Sequence, residues 1–464
     1  MEKQIAMKKF SLRGIALNRS HLCDGVQRLM LYLELSIQTL LLIWVWDRFY
    51  NDAMPVPIFF RGYYALALFY WALLFICTKA LKGRDIGDVR LLDTVISQSV
   101  ALLLGNVAVY FPLCLLSYRI INPNYLLLMT LAQLGVIILW CFLCTRLFFY
   151  LFRPLELLLI GSEGRRRQLK KKLGRYWERY HICAELDDTA PREEMFVALR
   201  NCHAVLLDSE DRELRDWIGA ECFRHNLFYF LVPDLQDVIL HASKRLHIVD
   251  TPLLRTDSHR ITASDLFVKR IMDIFVAAVG LLLASPVLLF AGLAIRLEDG
   301  GPVFFRQERL TRDGRVFRIV KLRTMVTDAE KYGQKLAEKD DPRITRVGAF
   351  LRKTRLDELP QLWNVLVGDM ALVGPRPECP AIAAGYEKEL PEFRYRLKVK
   401  AGITGMAQVY GSYDTAPRDK LLMDIMYIEE YTFSLDVTLL LLTVRALFLT
   451  EKTEGVEKEE ENEA

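Results

Sequence analysis

Four long apolar stretches fill the first third of the chain, at residues 29–46, 58–77, 95–116 and 126–147. Each is long enough to cross a hydrocarbon core as a helix. The pattern therefore predicts a four-helix transmembrane bundle over residues 1–153. After that the period changes. Short apolar runs at 155–160, 182–186, 204–207 and 227–232 alternate with helical stretches such as 165–173 and 212–223. Strand–helix alternation argues for a parallel sheet, and residues 154–260 read as a small Rossmann-like α/β module. A further apolar run, 269–297, is interrupted by Ser285-Pro286. The remainder, to about residue 450, reads as a mainly α domain. Residues 435–449 are apolar but short and carry Asp436 and Arg445, so they suit a surface or core helix, not a span. The tail 451–464 is mostly Glu, Lys and small residues and is expected to be disordered.

Charge orients this layout. Lys3, Lys8, Lys9, Arg13, Arg19 and Arg28 precede the first apolar stretch, and Lys79, Lys82, Arg84 and Arg90 separate the second and third. Arg146, Arg153 and Arg165 to Arg167 follow the fourth. The other two connections hold only Arg48, Arg61 and Arg119. The positive-inside rule puts the N-terminus, and the chain after the fourth span, in the cytoplasm. The run 269–297 is basic at both ends, at Lys269, Arg270, Arg296, Arg306 and Arg309. An interior proline breaks or kinks a helix. A helix that bends at Ser285-Pro286 and re-enters keeps both ends on one side, with the Ser285 hydroxyl satisfying a carbonyl freed by the bend. The alternative is a kinked fifth span.

Hydrophobic residues make up 52% of the 464, above the usual soluble share. The net charge of +4 decides little, and no nucleic-acid partner is expected. The nine cysteines are scattered in apolar contexts, which suits reduced thiols. Cys141 and Cys144 form a CxxC, but inside an apolar helix. No cleavable signal peptide is expected, because no clear cleavage site follows the basic N-terminus. Glu34 lies within the first span and suits a helix–helix contact. No transport path is evident. Gly161-Ser162-Glu163-Gly164 resembles the start of a dinucleotide loop but lacks G-x-G-x-x-G, and Asp187 stands where a ribose-binding acid would. A structural or regulatory role for this module is the alternative. All seven histidines lie at or before His259, so chemistry beyond that point cannot use imidazole.

The chemistry concentrates in LRKTRLDELPQLWNVLVGDMALVG, residues 351–374. Asp357 and Glu358 are adjacent anions, so one must be neutralised by a proton, a cation or a metal. Mg²⁺ fits, taking one or two carboxylates plus substrate phosphates. Pro360 suits the first position of a helix over 360–367, and Leu359 before it is expected outside the α region. Free N–H groups at that helix start favour phosphate. With Arg352, Lys353, Arg355 and Arg376 nearby, the stretch describes a phosphoryl-transfer site. A surface turn with charges near a helix cap is the bland alternative.

From Lys269 to Asp436 the motifs KRIMD, SP, GGPVFFRQER, DGRVFRIVKLRTM, DPRITRVGAFLRKTRLDELPQLWNVLVGDMALVGPRPE, GITG and YIEEYTFSLD follow one another. In this order they resemble the bacterial sugar transferases called polyprenyl-phosphate hexose-1-phosphate transferases, or monotopic phosphoglycosyl transferases. The bundle and α/β module look like the long-form members. There are departures: Ala401 where the family often has Pro, KLRTM for KFRSM, and Met406-Ala407-Gln408 for WAQ. The resemblance implies a catalytic domain over 265–450 with a re-entrant helix at 269–297, cytoplasmic and bound to the bacterial inner membrane. It implies Asp357 as nucleophile on a UDP-sugar, Glu358 as the Mg²⁺ ligand, and undecaprenyl phosphate as acceptor. Arg352 and Arg376 match the family's phosphate-binding arginines, with Lys321 and Arg323 as weaker candidates and Arg343 and Arg346 weaker still. Membrane lipid is an implied partner, and a homodimer is left open. The competing readings are an inactive scaffold of the same fold and a nucleotide-sugar-modifying enzyme using the α/β module.

Overall fold

The computed structural model describes residues 2–51, 61–87, 89–174, 179–256, 261–327, 341–411 and 415–447, with side chains from Leu22 onward. The tail at 451–464, expected to be disordered, lies outside the described residues. The chain divides into two compact units, Met1–Pro233 and Asp234–Ala464.

The first unit opens with four long helices: α1 (Glu2–Val45), α2 (Arg61–Ala80), α3 (Leu91–Leu116) and α4 (Asn124–Leu151). All four are long and apolar enough to cross a membrane, and the first such stretch, Leu22–Tyr50, runs from α1 into a wide turn. This is a membrane protein. Helix α1 starts far before the predicted apolar stretch, because the basic N-terminal residues continue its helix. The predicted start of the second span, residues 58–60, lies outside the described residues. Among apolar side chains, polar ones specify the bundle. Tyr70 donates to Asn106 (2.6 Å), and Asn106 donates to Thr130 and Gln133 (2.9 Å each). Glu34 is buried beside Gln98, and the Cys141 thiol donates to Gln98. In hydrocarbon such polar groups must find partners on neighbouring helices.

Next come β1 (Leu155–Gly161), α5 (Glu163–Leu173), β2 (Tyr180–Leu186), α6 (Arg192–Leu199), β3 (Ala204–Asp208), α7 (Arg212–His225) and β4 (Phe228–Leu231). The sheet is parallel with order β2-β1-β3-β4. The last five residues of β1 are buried, as expected for a strand covered on both faces. The carboxylate of Asp187 accepts from Thr189 (2.7 Å) and Arg166 (3.3 Å), so it is already engaged.

The second unit begins with α8 (Leu235–His241), which packs on α14 (below), and the antiparallel hairpin β5 (Lys244–Ile248) and β6 (Thr251–Arg255). Helix α9 (Ala263–Asp299) follows, then the antiparallel pair β7 (Phe304–Leu310) and β8 (Val316–Leu322). After these come α10 (Arg346–Thr354), α11 (Gln361–Val367), β9 (Ala371–Val373), α12 (Pro380–Glu389), β10 (Gly402–Thr404), α13 (Met406–Tyr410), α14 (Pro417–Glu429) and α15 (Phe433–Leu447). The described residues of 265–450 are mostly helical, as expected, with the β7–β8 hairpin and the short pair β9–β10 added to the helices. In FFRQERL and VFRIVKL each strand alternates more and less exposed side chains, and the ladder holds seven residue pairs.

Helix α9 is 37 residues long and closed at its start by a Thr262–Asp265 capping box. At about 1.5 Å per residue it extends about 55 Å. It stays helical through Pro286. That proline leaves the Leu282 carbonyl without its usual donor, and the Ser285 hydroxyl fills the place at 2.7 Å. One stripe of α9 meets the rest of the unit along its length. Lys269 donates to Asp436 (2.6 Å), and Arg270 donates to the Val365 and Leu366 carbonyls (2.6 and 2.7 Å). Asp273 accepts from the Leu372 N–H (3.0 Å). Two turns before the helix ends, Leu288, Ala291 and Ile295 pack on Leu322 and Leu351. The opposite stripe, including Phe275, Leu282, Leu283, Leu289, Phe290 and Leu297, is exposed.

Asp436 is fully buried and accepts from Lys269 and from the Tyr427 hydroxyl (2.8 Å); Tyr427 in turn reaches the Val373 carbonyl (3.1 Å). This triad fastens α15 and α14 to α9, so α15 is a core helix. Removing one member of a buried ion pair strands the other charge at a cost of about 3–5 kcal/mol. Asp436→Ala should therefore lower the thermal unfolding midpoint of the detergent-solubilised protein sharply, and adding Lys269→Met should recover much of the loss. An unchanged midpoint in Asp436→Ala would mean the triad does not hold α15.

Candidate active site

Helix α10 is capped at its start by the Thr345 hydroxyl, which accepts from the Gly348 N–H (3.0 Å). It ends at Arg355, which is left-handed (φ 55°, ψ 19°). A non-glycine residue there costs of order 1–2 kcal/mol, and the conformation turns the chain into a tight helical turn, Leu356–Glu358. Pro360 and α11 follow at once. Two expectations fail here. Leu359 is in the α region (φ −56°, ψ −36°), because the turn runs straight into α11. The helix start also offers fewer free N–H groups than predicted. Leu359, Leu362 and Trp363 donate to Leu356, Leu359 and Pro360 three residues back (3.3, 3.1 and 3.0 Å).

The turn presents Asp357 and Glu358 to two cations. Lys321, on β8, donates to Glu358 Oε1 at 2.8 Å, and Arg376 reaches the same oxygen at 3.4 Å. The Glu358 side chain is 21% exposed, so these charges are only partly screened. Burial alone would raise its pKa, but Lys321, Arg376 and Arg355 outweigh burial and hold it well below the usual carboxylate range. Asp357 goes the other way. Burial and the neighbouring Glu358 charge push it up to about 6, against the pull of Lys321 and Arg352. The carboxylates are thus split: one firmly ionised, the other poised near neutrality.

The remaining predicted residues are placed as follows. Arg352 lies close enough to act on Asp357 electrostatically, while its Nε donates to Thr324 Oγ1 (3.0 Å). Arg323 is buried and paired with Asp299, packed against Gly301 where a Cβ would collide with it. No hydrogen bond ties Arg323 to the dyad among the described residues. Arg343 grips Asp341 through two nitrogens, and the Arg346 N–H donates to Glu298 (2.9 Å). Ser285 and Pro286 lie within α9, as above.

A cavity beside Glu358 is lined by Arg309, Lys321, Gln361, Arg376 and Gln408, among others. Arg309, Gln361 and Gln408 were not among the residues predicted for the site. Arg309 sits in the quoted GGPVFFRQER motif, and its Nη1 donates to the Pro377 carbonyl (3.1 Å) beside Arg376. Asn364, also missed, ties α11 to β8. It accepts from the Val320 N–H (3.0 Å) and donates to the Arg318 carbonyl (2.9 Å), which fixes Lys321 relative to the turn. Arg376 is carried by Gly374-Pro375-Arg376-Pro377. Gly402 lies so close that a Cβ there would sit 2.1 Å from the Gly374 nitrogen.

Among the described residues no group of three or more His, Cys, Asp and Glu could hold a metal. An Asp-Glu pair alone offers oxygen donors suited to Mg²⁺ that shares a substrate's phosphates.

The profile of the family described as "Bacterial sugar transferase" matches residues 264–450. Over 250 residues the chain is 36% identical to the UDP-N-acetylgalactosamine-undecaprenyl-phosphate N-acetylgalactosaminephosphotransferase of Aeromonas hydrophila, covering 53% of this chain and 58% of that protein. It is 43% identical over 188 residues to the UDP-glucose:undecaprenyl-phosphate glucose-1-phosphate transferase of Caulobacter vibrioides, covering 39% of this chain and 70% of the relative. It is 39% identical over 189 residues to the exopolysaccharide production protein PSS of Rhizobium leguminosarum, covering 39% of this chain and 94% of that one. The chain thus spans little more than half of the Aeromonas protein.

Lys321 lowers both carboxylates, so its removal should raise both. In Lys321→Met the dyad should take up its proton at a higher pH, read by carbon NMR titration of carboxyl-labelled protein. A titration that matches wild type would mean the ion pair does not set the dyad's charge.

Proposed function

The chain belongs to the bacterial sugar transferases, and on that premise we propose that it transfers a sugar 1-phosphate from a UDP-sugar to undecaprenyl phosphate, releasing UMP and starting polysaccharide assembly. The observation that carries this reading is the split pair Asp357–Glu358, whose Glu358 lines a cavity with Lys321, Arg309 and Arg376. A carboxylate attacks phosphorus when it is ionised and the charges around it are neutralised. Asp357 is the group free to do so. Its oxygen bonds to the β-phosphorus, the bond from that phosphorus to the UMP oxygen breaks, and UMP leaves with the electron pair. The phosphosugar remains on Asp357 as an acyl phosphate. An oxygen of undecaprenyl phosphate then attacks the same phosphorus, and the Asp357 carboxylate is restored.

Arg376 and Arg309 are forked donors suited to the pyrophosphate. Lys321 keeps Glu358 ionised, and Arg352 adds positive charge beside the nucleophile. Glu358 would hold Mg²⁺ together with the donor's phosphates, and the bound ion would neutralise the charge that develops on the departing UMP. Magnesium, the UDP donor and the covalent step belong to this proposal.

The acceptor cannot leave the bilayer, so the dyad must work at headgroup depth. Helix α9 supports that placement. Arg270 near its start and Ile295 near its end both pack on the unit that carries the dyad, while the opposite stripe is apolar and exposed. A helix crossing straight through would draw one of these contacts away from the unit. We read α9 as embedded from one side of the inner membrane, with the catalytic unit cytoplasmic.

Asp357→Asn should abolish both UMP release and labelling of the enzyme by the phosphosugar. Turnover in that variant above about one percent of wild type, a barrier difference of only about 2.7 kcal/mol, would remove Asp357 as nucleophile. The pH profile gives a second check. The ionised carboxylate attacks, so protonation inactivates. Then kcat/KM, which reports the free enzyme, should be level above and fall below a pH of about 6. A profile that is flat down to pH about 4, the ordinary value for an aspartate, would contradict the assignment.

A further inference from the structure

Arg376 reaches Glu358 only at 3.4 Å and its side chain is 50% exposed, so neither packing nor that contact fixes it. Its place is set by its backbone. Both neighbours are prolines, which offer carbonyls and no N–H. The segment is held through its carbonyls: Pro375 accepts from the Gly402 N–H (2.9 Å), Pro377 from Arg309 Nη1 (3.1 Å), and Arg376 itself from Arg396 Nη2 (3.0 Å). Resting on the donor reading above, we propose that the buried pair Arg396–Asp424 is a positioning device for the reaction, which fixes Arg376 where it grips the donor's phosphates.

Three observations carry it. The first is that one nitrogen has two tasks. Arg396 Nη2, which holds the Arg376 carbonyl, also forms the ion pair with Asp424 Oδ2 (2.8 Å). Asp424 thus sets where that nitrogen lies. The second is the frame around the guanidinium. Nη1 faces Glu378 Oε1 (3.5 Å), two residues beyond Arg376, and the group lies over the Phe393 ring (4.8 Å). Arg396 comes from the tight helical stretch Pro391–Lys398 and Asp424 from α14, so the pair ties the Arg376 segment to two separate elements.

The third is what such a pair is good for. The Arg396 and Asp424 side chains are 5% and 1% exposed. A buried pair of this kind contributes little net stability beside apolar side chains of equal volume, because desolvation offsets the attraction. A planar guanidinium does what an apolar side chain cannot: it addresses two carboxylates and a carbonyl at once. A lysine, as a single point charge, keeps a cation beside Asp424 without that reach. Neither Arg396 nor Asp424 lines the cavity beside Glu358, so each acts through Arg376.

The test is a double-mutant cycle on the full chain in nanodiscs, with UDP as a diphosphate that binds without turnover. Calorimetry measures UDP binding. Asp424→Asn and Arg396→Lys should each weaken it by about tenfold, and Arg376→Met by at least as much. In the Arg376→Met background, either second change should alter UDP binding by less than about twofold, since residues that act only through Arg376 have nothing left to position. Losses that multiply would mean that the pair serves the fold in general, and would overturn the proposal. So would UDP binding within about twofold of wild type in both single variants. UMP release from UDP-glucose, UDP-galactose and their N-acetylated 2-amino counterparts is followed in parallel. A wild type that shows the non-additive cycle but releases no UMP would sink the transferase reading and leave the positioning pair standing. A protein that releases UMP but gives an additive cycle would keep the reaction and lose the pair.

Discussion

Two neighbouring carboxylates cannot both stay ionised in a half-buried turn unless something compensates the second charge. In this protein the compensation is unequal. Lys321 and Arg376 both address one oxygen of Glu358, and Asp357 is left with the unpaid repulsion. That asymmetry divides labour between residues of nearly identical chemistry, in the way paired acids elsewhere are set apart by environment. Much of the surrounding architecture serves to keep it. Arg355 accepts a left-handed conformation to aim the turn, Asn364 pins β8 and its Lys321 against α11, and the glycines at 374 and 402 let the Arg376 segment come close to β10.

On the proposed reaction, the polar locks around α9 serve a need for fixed depth: a nucleophile that serves a lipid acceptor would have to be held at one height. Lys269, Arg270 and Asp273 occupy successive positions on one helical stripe and engage α15, α11 and β9 respectively. Buried ion pairs contribute little net stability against apolar substitutes, because desolvation offsets the attraction. Their value here is directional: a greasy stripe alone could slide or rotate in lipid, while these hydrogen bonds admit one register.

The sequence made the large divisions legible because hydrophobic periodicity is local. The four apolar helices, the strand–helix alternation after residue 153 and the long run ending near Leu297 can each be read within one window. The DELP stretch was legible too, since charge crowding shows in a string. What stayed hidden depends on distance along the chain. Lys321 meets Glu358 across 37 residues, and nothing near either position announces it. Arg323, two residues further along β8's exit, looked equivalent to Lys321 but pairs with Asp299. Arg309, Gln361 and Gln408 line the cavity as a result of tertiary packing. The β7–β8 hairpin was missed because FFRQERL and VFRIVKL carry charges on their exposed positions, which masks strand alternation in a region dominated by helical patterns.

The mistaken expectation about Leu359 shows how tertiary demands override a local rule. A residue before proline avoids the α region because of a steric clash worth a modest amount. Here an extended Leu359 would swing α11 away from β8. That would break the Asn364 bonds and part Glu358 from Lys321. Several buried hydrogen bonds, each contributing of order 1 kcal/mol net and costing more when left unmade, outweigh one local clash. The one left-handed residue of this turn, Arg355, directly precedes the segment that carries the Asp-Glu pair. Backbone strain is retained where the surrounding contacts over-determine the conformation, and in this chain those contacts converge on the one turn whose charges must not be allowed to relax apart.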